Sequence, residues 1–466
     1  MRTSLPTIER SRRHWLRVSA GAMGLALPEL LGLRRAGAVG GGTGSGKAKS
    51  CIVLYCWGGM SHLDSWDLKP DAPAEVRGEF VPIATAVPGI QLSEHMPLLA
   101  RLTDRLAIIR SMHHSSTFHG RGMYWNMTGH PSPNAEQFTN LPPSSTDWPN
   151  LGAMIARLSS APSEMPAFVQ MPYFLVDNKT RQAGDTAGWL GQKYDALFVR
   201  PSGGKPYGGV SPQLGNLSVE PVDGVDASRF RRRSDLAQAL ASQSRPVAQT
   251  DDVRAYHGFR QMAIDMLANP RVRGAFNLEN EPPKIREAYG DHIGGQSALL
   301  ARRLVEQGVP AVTVVCAAGD LNGAAGDHWD THGDNFNRLK RDLLPPLERA
   351  SSALINDLSA RGLLDQTLVV WLTEFGRTPK ISTSNAGRDH FPFCYSVALA
   401  GGGVKGGQVY GRSDRIGAAP LDQPCGPADL HATIFHALGI SPDTRVVDNL
   451  GRSLPLTDGR VLPLFG

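Results

Sequence analysis

Six short apolar runs recur along the chain, at 51–57, 106–110, 167–170, 311–316, 368–373 and 395–400, and the run at 368 is rich in β-branched residues and stops abruptly at polar ones. Continuous apolar runs of this length read as strands buried on both faces of a parallel sheet. Helical periodicity lies between them. Residues 299–307 precede the run at 311, and residues 336–361 carry Leu339, Leu343, Leu347, Leu354 and Leu358 at helical spacing before Gly362. Pro345 and Pro346 should kink or divide that second pattern. Strand and helix alternating in this way predict an α/β fold, a mainly parallel sheet covered by helices on both faces. Residues 171–235 break the rhythm. They are rich in Gly, Pro, Asp and Arg, which predicts a loop-rich insertion whose apolar island, Trp189 to Tyr194, either lines a pocket or pins the loop.

The amino terminus follows another pattern. Ser11-Arg12-Arg13 begins a twin-arginine signal, followed by a weakly apolar stretch over 18–33 and the small-residue site Ala36-Gly37-Ala38. The stretch is short of the roughly 20 apolar residues a membrane span needs and contains Pro28 and Glu29, so no stable span is expected. Residues 1–38 therefore read as a signal peptide and 39–50 as a flexible tether, with the rest, 51–466, exported to the periplasm or beyond. Removing residues 1–38 takes seven arginines and two glutamates from the chain's 48 basic and 43 acidic residues. That leaves 41 of each, a neutral remainder with no electrostatic case for nucleic acid as a partner. Five scattered cysteines without a Cys-x-x-Cys spacing exclude a zinc ribbon or thioredoxin-type site. Cys51 and Cys56, at an odd offset on one strand, point to opposite faces and cannot pair with each other.

Candidate chemistry sits just after the predicted strands, where open α/β sheets assemble ligand sites. Gly58-Gly59 is followed by His62, Asp64 and Asp67; His113, His114 and His119 by Arg121; then come residues 327–335, with His328, Asp330, His332 and Asp334. The fourth cluster runs from Glu374 through Arg377 to Asp389-His390. Imidazole and carboxylate together suit zinc, manganese or iron, whereas calcium favours oxygen alone. Each cluster also has a structural reading: an ion pair between Glu374 and Arg377, or Asp334 or Asn335 capping the following helix. Four such clusters on one sheet edge favour a shared centre.

Gly58-Gly59 with Asp64 and Asp67, Trp329 to Gly333, Glu374 to Pro379 and Gly387 to His390 together resemble the bacterial family known as domain of unknown function 1501, in the alkaline phosphatase and sulfatase superfamily. The resemblance covers most of the exported part. It implies an alkaline-phosphatase-like three-layer α/β/α sandwich and metal-assisted hydrolysis of phosphate or sulfate esters. By the same resemblance, Asp330, His332, Glu374 and His390 bind the metal, with Asp64 or Asp67 replacing an acid at the end of the first strand, where Trp57-Gly58 stands. Counting back from Thr128-Gly129-His130-Pro131 puts the nucleophile position on His119, so the nucleophile would be His119 itself or a hydroxyl from Ser115, Ser116 or Thr117, and Arg121 or Arg377 would hold the anionic group. Residues 429–434 resemble the superfamily's final, structural helix. The expected protein is thus an exported, metal-dependent hydrolase of a small or polysaccharide-derived anionic ester. The alternative is a binding or scaffold protein that keeps the fold without the chemistry.

Overall fold

The computed structural model describes residues 46–133, 141–162, 164–177, 180–199, 269–316 and 328–466, with isolated positions at 232 and 236. The expected signal peptide and most of the insertion lie outside the described residues. All described residues belong to the compact unit that begins at Gly44. The expected tether is not free at its described end: Ala48 N donates to Ala437 O and Lys49 N to Gln366 O, at 2.9 and 2.8 Å.

The apolar runs form the sheet. Its strands are β1 (Ser50–Tyr55), β2 (Leu106–Met112), β3 (Phe168–Met171), β4 (Leu197–Phe198), β5 (Ala311–Val315), β6 (Thr367–Leu372), β7 (Tyr395–Ala400) and β8 (Gln408–Tyr410). They lie in the order β8-β2-β7-β6-β1-β5-β3-β4. Only β7 runs against its neighbours; every other pairing is parallel. Every residue of β1, β5, β6 and β7 is buried, which requires cover on both faces and explains why these strands read as unbroken apolar runs.

Among the described residues, five helices of eight residues or more complete the frame: α1 (His119–Thr128), α2 (Leu151–Leu158), α3 (Ile293–Glu306), α4 (Leu344–Ala360) and α5 (Pro427–Ala437). The expected division at the proline pair occurs. A short helix, Asn335–Arg338, and a π-turn, Leu339–Leu343, precede α4, whose first turn takes the prolines where their missing N–H groups cost nothing. Asp334 occupies the N-cap position of that short helix without a side-chain cap; its carboxylate accepts from Asn337 instead. Buried Arg302 ties α3 to α4 through Asp357 at 2.9 Å, with Glu281 and Glu306 on its other nitrogens. All five cysteines are buried free thiols. Trp189 is buried edge-on against Trp148, so the island in the insertion pins its loop. Among the described residues no helix is long and apolar enough to cross a membrane.

One direction of the sheet matters most. β1, β2, β5 and β6 end at the same edge and antiparallel β7 begins there, so the four polar clusters emerge together.

His292 caps α3 by accepting the Gly295 N–H at Nδ1, 3.0 Å away. Burial, helped by Arg349, pulls this imidazole down from 6.5 to about 4. A depressed histidine stabilises the fold above the unfolded value and loses that contribution as pH falls through the folded one. Stability should therefore drop between pH 6.5 and 4, by up to about 3 kcal/mol from this residue. His292→Asn, which caps without titrating, should flatten melting temperature against pH in that window. An unchanged slope would remove His292 as a cause.

Candidate metal centre

The centre begins with a turn. After β1 the chain reverses through Gly58 and Gly59 at φ of 111° and 83°, a backbone region that side chains rarely adopt. A Cβ at Gly58 would sit 2.3 Å from Asp330 N, and one at Gly59 would sit 2.6 Å from the Phe375 ring. The two glycines thus let three segments of the sheet edge close on one another. Trp329 N donates to Trp57 O at 2.9 Å and seats the third cluster against the first.

Asp330 stands at the middle. Its Oδ1 lies 3.0 Å from His390 Nε2 and 3.1 Å from His332 Nε2, and its Oδ2 lies 3.3 Å from His119 Nε2. The Arg377 guanidinium donates to Oδ1 as well. Burial opposes ionisation, but Arg377 and the three imidazoles outweigh it and hold the Asp330 carboxyl far below the usual carboxylate range. His119, Asp330 and His390 each offer one ligand atom, all within 4.8 Å of one another.

The tautomers follow from second partners. His390 Nδ1 faces Thr117 O at 2.7 Å; a carbonyl only accepts, so Nδ1 carries the proton. Burial, together with the charges of His119 and Arg377, holds His390 down to about 4, which leaves Nε2 as a lone pair 2.9 Å from His332 Nε2. His119 Nδ1 lies 2.8 Å from Glu374 Oε1 and donates to it. Its buried Nε2 is close to Asp330 yet makes no hydrogen bond, because the geometry is out of line. Burial alone would lower His119; the Asp330 and Glu374 carboxylates outweigh it and push it up to about 9. Two imidazole nitrogens and a carboxylate oxygen therefore converge on one point, and the proton on the buried, unbonded His119 Nε2 is one that a bound cation would displace. The residues fit a divalent ion of the zinc, manganese or iron kind. Trp57 stacks on His119 at 5.1 Å and Phe375 lies 4.6 Å from His390, which gives the imidazoles apolar walls.

The expected ligands divide. Asp330 and His390 are at the centre, and His119, expected as a nucleophile, joins them with a ligand's geometry. His332 stands at the rim, nearly half exposed, with Nδ1 held by Asp389 at 2.6 Å. Glu374 sits behind His119 instead of beside it. Its Oε1 takes the Gly58 N–H at 2.6 Å as well as the imidazole, so its work is orientation. Asp64 is not at the centre. Its carboxylate is spent on Arg388, 2.9 Å from Nε and 3.0 Å from Nη2, and on Ser61 and Asn335. Arg377 is fully buried and engaged with the Gly58, Gly59 and Arg388 carbonyls besides Asp330, so it positions that carboxylate and is not open to an anion. Arg121 is buried in the first turn of α1, on the side away from His119. Asn126, seven residues after His119 and on its face, donates to Glu374 O at 2.9 Å and completes the support. That spacing was available in the sequence as a signal.

Residues 48–464 match the family described as "Protein of unknown function (DUF1501)". The chain belongs to that family. No curated protein matches it in sequence. Among solved structures it is similar to the phosphonate monoester hydrolase SpPMH from Silicibacter pomeroyi, with 14% identity over 89% of this chain and 76% of that one and a TM-score of 0.36. It is also similar to the PsFucS1 sulfatase from Pseudoalteromonas sp., with 12% identity over 84% and 68% and a TM-score of 0.37. A third is an alkaline phosphatase superfamily protein from Vibrio parahaemolyticus, with 13% identity over 89% and 69% and a TM-score of 0.34. These likenesses are too distant to place any residue of the centre.

The two displaced acids can be told apart by experiment. Asp64→Asn should leave Arg388 buried without its counter-ion and cost about 3–5 kcal/mol in chemical denaturation, with metal affinity unchanged. Glu374→Gln should instead weaken metal binding by about 10- to 100-fold in calorimetric titration. Metal loss on Asp64→Asn in folded protein would return Asp64 to the ligand set.

Proposed function

We propose that the protein is an exported, metal-dependent hydrolase of phosphate, sulfate or related esters. The reading is carried by one observation, the convergence of His119 Nε2, Asp330 and His390 Nε2 within 4.8 Å. An ion held there supplies Lewis acidity toward a phosphoryl or sulfuryl oxygen. The chain's own residues do the rest. Glu374 and Thr117 O fix the His119 and His390 rings with their Nε2 atoms inward. Arg377 keeps Asp330 ionised and in place. His332, held by Asp389, carries an N–H at the solvent side, where hydrogen bonding to Asp330 raises its basicity above the ordinary histidine value. Both ring nitrogens are engaged, Nε2 beside Asp330 and Nδ1 beside Asp389, so toward an ester at the mouth the ring acts through its positive charge. The motif resemblance to the alkaline phosphatase and sulfatase superfamily supports the same class of reaction, and the buried cysteines supply no nucleophile at the centre. Arg12-Arg13 ahead of a Gly- and Ala-rich stretch supports twin-arginine export of the folded protein.

On this reading His119→Ala should abolish tight metal binding and lower hydrolysis of aryl phosphate or sulfate esters by orders of magnitude. Cysteine-to-serine replacement at all five positions should leave activity in place wherever folding survives. A folded His119→Ala variant with full activity would take His119 out of the chemistry, and wild-type protein that takes up no zinc, manganese or iron would favour the scaffold reading. Replacing Arg12 and Arg13 with lysine should leave precursor in the cytoplasm; normal export would refute that assignment.

A further inference from the structure

We infer that the centre takes a single divalent ion and that the Arg377 guanidinium is a fixed cation standing where a second ion would need an anion. The inference rests on the metal reading above and goes on to its stoichiometry and to what sets it.

A paired-ion centre needs carboxylate oxygens that can bridge or be divided between two cations about 3.5–4 Å apart. Among the described residues, the acids near this centre are already committed. Asp330 Oδ1, the oxygen turned from His119, receives the Arg377 guanidinium. That guanidinium cannot swing away cheaply, because it is completely buried and bonded to three backbone carbonyls, Gly58, Gly59 and Arg388. Glu374 Oε1 accepts from Gly58 N and His119 Nδ1 together. Asp64 is locked on Arg388, itself fully buried. Among the described residues the remaining carboxylate beside the centre, Asp389, is at the exposed rim and paired with His332. A second ion would therefore meet a guanidinium at the oxygen it requires. One ion meets two histidine nitrogens and one Asp330 carboxylate oxygen, a donor set with open positions. Arginine suits the post better than lysine, since its planar fork reaches several carbonyls and a carboxylate at once.

Full-length exported protein, loaded with excess zinc or manganese and freed of unbound ion, should contain one ion per chain by elemental analysis. Its manganese form should show an uncoupled six-line spin-resonance signal that accounts for all the bound metal. Two ions per chain, or an exchange-coupled signal, would overturn the inference and leave the metal reading standing. No bound ion at all would overturn both. Arg377→Gln removes the fixed charge and should raise the ratio above one in protein whose circular dichroism is unchanged; Arg377→Lys keeps the charge and should stay at one. A folded Arg377→Gln protein that still binds one ion would show that the guanidinium is not what excludes the second.

Discussion

The carboxylate of Asp330 is the point on which the sheet edge is organised, because it is largely withdrawn from solvent and cannot be left without compensating charge. An ionised carboxylate in such a place costs several kcal/mol in lost hydration unless donors surround it. Here the compensation comes from three chain segments: the Arg377 guanidinium after β6 donates to it, and the His390 ring before β7 and the His119 ring at the start of α1 stand beside it. Satisfying one oxygen pair thus brings together parts of the chain that are far apart in sequence. Arg377 does double work, since its remaining nitrogens also hold the Gly58 and Gly59 carbonyls and so fix the turn against which Asp330 rests.

A second layer makes the ring orientations definite. Glu374 on His119 and the Thr117 carbonyl on His390 each take the Nδ1 proton, which leaves Nε2 of both rings facing the same point. Glu374 is in turn held through its carboxylate by Gly58 N and through its backbone carbonyl by Asn126 and His114. Trp57 and Phe375 close off water beside the rings, which strengthens every charge interaction inside. Among the described residues around the centre, His332 and Asp389 are the most exposed to solvent.

Much of this architecture was legible in the residue pattern. Apolar runs at 51–57, 311–316 and 368–373 carry the strand signal because they are buried on both faces, and that burial is a property of composition. The abrupt polar stops, with Gly58-Gly59 after the first, located the edge where chemistry gathers. His119, Asp330, His332 and His390 were all marked by type and by position after a strand. The proline pair at 345–346 marked the start of α4, since a ring without an N–H is tolerated in a first turn and little further on.

What each acid does was decided only in three dimensions. Asp64 and Glu374 are equally acidic and equally well placed after strands, yet one meets Arg388 and the other His119. Those partners lie 324 and 255 residues away, and no local pattern encodes which of two carboxylates a distant cation reaches. Arg377 likewise looked like an open anion-binding cation, and its saturation depends on three carbonyls whose directions exist only once the turn and the loop have packed. Sequence alone determined which residues gather at the sheet edge, because strand ends follow from hydrophobic pattern. Tertiary structure alone determined which lone pairs remain unspent, because that depends on side-chain pairings across the fold.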